Sequence, residues 1–393
     1  MDGANIHPEI ADLYPELIQI RRELHQHPEL MFDLPRTSAF VASYLQALNI
    51  EVHTGVGKSG VVGVIRGEGP CILLRADMDA LPITELIESD YKSTTPGKTH
   101  ACGHDAHMAM LLVAAKVISR HRDRLKGSIK FMFQPAEEGG HGARFMRDDE
   151  NYPVLDAEPR VDEVYGIHMG NQVNLGDFNL SEKFMSTYSD FFDIEVKGKG
   201  GHGSSPHLCN DPIISAAELI VALQTIISRN VNTKFKSVLS VTTIHGGETY
   251  NAISDSCKLT GTIRSYETEV RDLLIKRINE ICNGLSVANN ISIVFTLHPL
   301  YGPIVNDPTC IQKTEAVFRK ICPNANREMD SPMIGEDFAY LTDVRPGCFY
   351  MLGCSTTEKT APLHSPNFTF DERSMMIGAS FWVQLVQDEL FKN

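Results

Sequence analysis

The chain has 393 residues, more than one hydrophobic core usually organises, so two domains are expected. A formal charge of −14 with no clustered Lys and Arg excludes a nucleic-acid surface, because phosphate binding needs concentrated cations. No apolar run reaches the roughly 20 residues that cross a bilayer, and the start lacks a basic segment followed by an apolar one; neither a membrane partner nor a secretory signal is expected.

In chain order, residues 8–49 carry amphipathic helical spacing, broken at His27-Pro28, where the proline disfavours helical backbone for the residue before it. VVGVIRG and CILLRADM predict strands, MAMLLVAAKVISRH a helix with Asp105 as N-cap, SIKFMFQPA a strand, GARFMRDDE a helix and VDEVYGIHM a strand. This alternation predicts an α/β layer with a mostly parallel sheet flanked by helices. From residue 186 the order changes. DFFDIEVKG is a strand, Asp211-Pro212 opens a helix, and SVLSVTTIHGG and CKLTGTIRS are strands. A helix with Val270, Leu274, Ile278, Ile281 and Leu285 on one face follows, then the strand ISIVFTL. The order βαββαβ is ferredoxin-like. The expected plan is a discontinuous catalytic domain, 1–185 and 300–393, with an inserted α+β domain at 186–299.

Nine cysteines, an odd number at scattered positions, suit reduced thiols and a cytoplasmic chain better than a disulfide framework.

Open α/β sheets gather functional groups beyond the carboxyl ends of their strands. Here CILLRADMD ends in Asp77 and Asp79, SIKFMFQPAEE in Glu137 and Glu138, and VYGIHM in His168. HACGHDAH supplies Cys102, His104, Asp105 and His107, and PLHSPNF supplies His364 between prolines. Singly these are weak signals. Together they predict a convergent site of imidazole, thiolate and carboxylate, a donor set suited to zinc, manganese, cobalt or nickel rather than magnesium or calcium.

RADMDALPI, HACGHDAHMAMLL, FQPAEEGGHGA, GIHMGN, GKGGHGSSPH, GGETYNAI, GTIRS, GEDFAYL and PLHSPNF follow one another from His25 to Phe368 in the order of one family. The chain resembles the co-catalytic metallopeptidases that include aminoacylases, hippurate hydrolases and auxin-conjugate hydrolases, with a zinc-peptidase-like catalytic domain and a lid or dimerisation domain. The resemblance implies two divalent ions, zinc or manganese first and cobalt or nickel next, held by Cys102, His104, Glu138, His168 and His364. Five protein ligands exceed the three plus water of a single catalytic zinc.

The resemblance makes Glu137 the general base, although the residues alone leave Glu137 and Glu138 interchangeable. It implies that His202 stabilises the oxyanion, often in a neighbouring subunit's site, and that Asn251 and Arg264 hold the substrate's α-carboxylate. A planar guanidinium suits that task. Asp77 and Asp79 stand where another branch of the family has His-x-Asp; the missing His leaves them an orienting role, accepting a ligand histidine's other N–H, or a structural one. Glu336 is expected beside the ligands, Asp105 and His107 at the helix start, and His25 and His27 on a cleft wall.

The function implied is hydrolysis of N-acyl amino acids, with a small-molecule substrate and a homodimer or higher homo-oligomer through the inserted domain. A metallo-dipeptidase or carboxypeptidase is the alternative within the family. A metal-bound binding protein without catalysis is the alternative outside it, disfavoured because a binder has no need of Glu137.

Overall fold

In this computed structural model, residues 3–355 and 361–391 are described. Four segments dense in Val, Ile, Leu and Phe become parallel neighbours in the order Ser128–Gln134, Cys71–Asp77, Glu163–Asn174 and Gly347–Ser355. The first two are buried at every position, which is why apolar residues fall on both faces of these strands instead of alternating. Gly60–Ile65 pairs antiparallel with Ser128–Gln134, and Glu51–Val56 closes that side. The short strands Phe178–Asn179 and Arg327–Glu328 extend the other side to eight strands.

Helix His104–Arg120 is buried along nearly its whole length and packs against the helices Ser374–Leu390 and Tyr14–Gln26. Its start departs from expectation. Gly103, at φ +85°, is the N-cap, and Asp105 lies in the first turn. One oxygen of Asp105 accepts the N–H of Ala106, the next residue, at 2.9 Å, and the other faces Arg21 and His25. The helices Tyr14–Gln26 and Pro35–Ala47 flank the break at His27-Pro28 as expected.

The chain divides into two compact units, one of residues 1–185, 304–331 and 337–393, the other of residues 186–303 and 332–336. The return expected near residue 300 therefore comes at 304, and the segment 332–336 belongs to the second unit because Thr187 N–H bonds Ile334 C=O at 2.9 Å.

In the second unit the strands Ser292–Tyr301, Tyr188–Lys197, Ser256–Ser265 and Ser237–Gly246 form an all-antiparallel sheet in that order. Phe192, Ile194 and Val196 alternate inwards against helices Pro212–Arg229 and Thr268–Ala288, the ferredoxin-like arrangement. On the second helix Val270, Leu274, Ile278 and Cys282 form the buried stripe, with Ile281 and Leu285 at its flank. Asp211 caps the first helix by accepting from Ile213 N–H at 2.9 Å, with Pro212 behind it. This helix corrects one expectation: its 18 residues, at mean hydropathy 1.4, are long and apolar enough to cross a bilayer. Leu219, Leu223 and Ile226 pack into the core of the second unit, while Ile214 and Val221 on the same helix stay exposed.

Candidate metal centre and active site

The five expected ligands and Glu137 all lie in the first unit, and the structure brings them together. Donor atoms of Cys102, His104 and His168 lie within 4.8 Å of one another, as do those of Cys102, Glu138 and His364, and those of His104, Glu137 and Glu138. Cys102 belongs to two of these triplets, so its sulfur sits between two groups of donors.

Backbone geometry sets each donor's direction. The left-handed Gly103 lets the chain reverse between Cys102 and His104; a Cβ there would meet Met169 Cγ at 3.1 Å. His104 Nδ1 lies 2.7 Å from the carbonyl of Asp79, and His168 Nδ1 3.0 Å from that of Met169. A carbonyl only accepts, so both Nδ1 atoms carry the proton and both Nε2 atoms offer a lone pair. His104 Nε2 is fully buried with no hydrogen-bond partner, and His168 Nε2 lies 3.4 Å from Cys102 Sγ. His364, at φ +64°, is held by its N–H to Ala101 C=O at 2.8 Å and places Nε2 3.3 Å from Glu138 Oε1. His168 lies two residues beyond the last pairing of its strand with Cys71–Asp77, at Gly166, although the strand itself runs on to Asn174.

The electrostatics call for cations. Burial, and then the charges of Glu138 and Glu137, push the Cys102 thiol well up. Burial and then His107 hold His168 well below its ordinary value, so it is a neutral donor. A buried thiol among carboxylates beside imidazoles whose Nδ1 atoms are taken up by backbone carbonyls is a donor set for two divalent ions.

The catalytic loop is held by Asp79. Its carboxylate, fully buried, accepts from Glu137 N–H at 2.9 Å and Glu138 N–H at 3.2 Å. Burial and the Glu138 charge raise this carboxyl well above the usual range, with the two backbone N–H groups working against them. Ala136 adopts φ +51°, its N–H bonded to Met31 C=O at 3.1 Å, and so turns Glu137 and Glu138 off the end of strand Ser128–Gln134. Gly142 accepts the close return, since a Cβ there would stand 1.6 Å from Pro135 O.

Asp77 orients a histidine, but not a ligand. Its Oδ1 lies 2.5 Å from His107 Nδ1, and His107 Nε2 accepts Met169 N–H at 2.9 Å. Both His107 nitrogens are thereby used, which removes it from the donor set despite its closeness to Asp77 and His104. For the ligand His104 the hydrogen-bond acceptor is the Asp79 backbone carbonyl, and the carboxylates of Asp77 and Asp79 stand further off, 3.5 Å from Nε2 and 3.8 Å from Nδ1. Arg75, with no exposure, bonds Asp77 at 2.8 Å, Gln134 at 2.9 Å and Asp337 at 3.3 Å. Asp337 also accepts Ala143 N–H at 3.0 Å. Sequence reasoning missed Arg75 and Asp337; the signal was a charged residue inside the otherwise apolar run CILLRAD. Glu336 is buried, at the end of the second unit's short segment. His25 is buried in a polar network and does not line a wall.

The other three expected residues belong to the second unit. His202 pairs with Ala252 on a two-stranded ribbon, and Gly203 N–H bonds Asn251 C=O at 2.8 Å, so His202 and Asn251 are neighbours. His202 Nδ1 accepts Ser204 N–H at 3.1 Å, which leaves Nε2–H as an exposed donor. Arg264 stands apart from this ribbon, on the strand Ser256–Ser265, its guanidinium 5.6 Å from the Phe191 ring centre.

The comparisons with known proteins agree with this chemistry. N-acetyl-L-cysteine deacetylase of Bacillus subtilis is 38% identical over 95% of this chain and 88% of its own length. Hippurate hydrolase of Campylobacter jejuni is 35% identical over 97% and 98%. A crystal structure of a dinuclear metal-binding peptidase of the M20 family from Bacillus subtilis superposes with TM-score 0.82 at 30% identity, covering 95% of this chain and 97% of that one. The sequence pattern of peptidase family M20/M25/M40 matches residues 73–388, and the chain belongs to that family.

Proposed function

We propose that the chain is a metal-dependent amidohydrolase that cleaves N-acyl amino acids into a carboxylic acid and an amino acid. The observation that carries this reading is the convergence of Cys102, His104, Glu138, His168 and His364 around paired histidine lone pairs, with Glu137 beside them. Two divalent ions held by these five side chains would acidify a water and polarise the amide carbonyl. Glu137 is the group that takes the proton from the attacking water and delivers it to the leaving amine nitrogen. The fixed Nε2–H of His202 supports its role as donor to the developing oxyanion, worth roughly 3–4 kcal/mol in such sites. Asn251 and Arg264 are the polar and cationic groups proposed for the α-carboxylate. Arg264 keeps its charge although burial lowers its pKa, so it can pair with an anion.

Zinc or manganese is the metal proposed from the thiolate and imidazole donors. A second copy of this chain is the partner proposed for the second unit, whose edge strand Ser237–Gly246 and exposed Ile214 and Val221 leave apolar surface and unpaired backbone to cover. Nine free cysteines support a reducing, cytoplasmic setting.

The test is hydrolysis of N-acetyl and N-benzoyl amino acids, with dipeptides in the same panel, by metal-stripped protein reloaded with zinc or manganese. Metal-restored cleavage of the acyl amino acids is expected, and Glu137→Gln should keep its metal while losing about 10²–10⁴-fold in kcat. Preference for dipeptides would favour the peptidase alternative. Full turnover by Glu137→Gln would remove it as the base.

A further inference from the structure

Behind the donor cluster lies a buried polar network that the proposed chemistry leaves unused. Asp105, the residue after His104, is fully buried, and its Oδ2 meets Arg21 Nε at 2.9 Å and His25 Nδ1 at 2.8 Å. His25 Nε2 reaches Glu85 Oε1 at 3.2 Å on its other side. Both ring nitrogens face carboxylates, with Arg21 Nη2 further from Nδ1 at 3.3 Å; with both nitrogens donating to the carboxylates the ring is an imidazolium. Burial and Arg21 work against that charge, and the bonds to Asp105 and Glu85 outweigh them, raising its pKa. Arg21 and Arg22 lie over the Tyr91 ring at 4.7 and 4.5 Å, and His25 meets its edge at 5.7 Å.

Such a network costs desolvation of four charges, repaid only where the geometry is good. Its position suggests what the geometry is for. Glu85 also accepts Ser93 N–H at 2.8 Å, which fixes its loop, and the next residue, Leu86, donates its N–H to Pro366 C=O at 2.8 Å. Pro366 stands two residues beyond His364, whose own N–H goes to Ala101, just before Cys102. The half-exposed, left-handed His364 thus sits on a loop tied to Ala101 at one end and, through Leu86, to Glu85 at the other.

We infer that His25 is a positioning residue that, with Glu85, locks the His364 loop to the segment carrying Cys102 and His104. It touches no donor atom itself. The consequence is selective: removing His25 slackens the His364 side of the centre and leaves His104 and His168, whose Nδ1 atoms are anchored by backbone carbonyls, in place. The inference rests on the metal reading above.

The test is zinc content of the full chain, for the parent, His25→Ala, His25→Gln and Glu85→Gln, equilibrated against a series of concentrations of a weak chelator. Two zinc ions per chain are expected in the parent. In His25→Ala and Glu85→Gln one ion should be released at a chelator concentration lower by on the order of 10-fold, with the other unmoved. His25→Gln, which restores one neutral bond, should fall between. Glu85→Gln changes no volume, so it carries the test if His25→Ala fails to fold. Equal loosening of both ions, or of neither, would overturn the inference while the metal reading stands. A parent chain that takes up no zinc would bring down both.

Discussion

Asp79→Asn tests how the catalytic loop is held. In the parent the two carboxylate oxygens accept Glu137 N–H at 2.9 Å and Glu138 N–H at 3.2 Å, and the side chain is buried. Asparagine has one acceptor oxygen, so one backbone N–H loses its partner and faces an NH2 donor instead. A buried N–H left without its acceptor costs about 1–3 kcal/mol, and the loop can relieve the donor–donor contact only by moving. A displacement of Glu137 approaching 1 Å is worth about 10²-fold in rate. The expected outcome is therefore a kcat lower by about that factor with KM little changed. The ion on the Cys102, His104 and His168 side should be retained, because His104 is oriented by the Asp79 backbone carbonyl, which the substitution leaves alone, whereas the ligand Glu138 shifts with the loop. The assay is steady-state hydrolysis of an N-acyl amino acid alongside zinc analysis of the same samples. A kcat within about twofold of the parent would refute the reasoning, and so would loss of both ions in step with activity.

Three further perturbations probe the surrounding frame. Arg75→Met strands the carboxylates of Asp77 and Asp337 without a cation and should cost about 3–5 kcal/mol, read from urea unfolding followed by the fluorescence of buried Trp382; a loss below about 1 kcal/mol would show the pair to be dispensable. Gly103→Ala forces a side chain into φ +85° against Met169 and should cost about 1–2 kcal/mol while lowering zinc retention after dialysis; unchanged retention would mean the Cys102–His104 reversal tolerates a Cβ. Lys130, buried and bonded to the carbonyls of Val154 and Ala157, is brought by burial down to about 8 from 10.5. Its folded pKa lies below the unfolded one, so the unfolded chain binds more protons between those values and stability rises with pH across that window. The rise between pH 8 and pH 10 should be about 2 kcal/mol and be absent in Lys130→Met; denaturant midpoints at those two pH values decide it.

Much of the architecture was legible because local chemistry and tertiary packing agree. Runs such as SIKFMFQ, rich in apolar residues and buried at every position, show no alternation because both faces are covered, which is what a central parallel strand requires. Asp211-Pro212 carries its own cap and starts its helix where expected. The donors were legible as residue types, because thiolate, imidazole and carboxylate at successive strand ends are an improbable surface.

Contacts between distant segments were not legible. Asp105 has the composition of an N-cap, yet it lies within the first turn, with one oxygen on Ala106 N–H and the other on Arg21 and His25, some eighty residues earlier. His107 and His104 are equally good donors on paper; only the Met169 N–H on His107 Nε2 and the empty lone pair on His104 Nε2 separate them. The apolarity of Pro212–Arg229 is ambiguous until a sheet is found beneath Leu219 and Leu223. The sequence by itself determined which side chains were available and on which kinds of element. The tertiary structure decided which lone pairs stay free, because a hydrogen bond is directional and its partner is chosen by geometry across the fold, which no local pattern records.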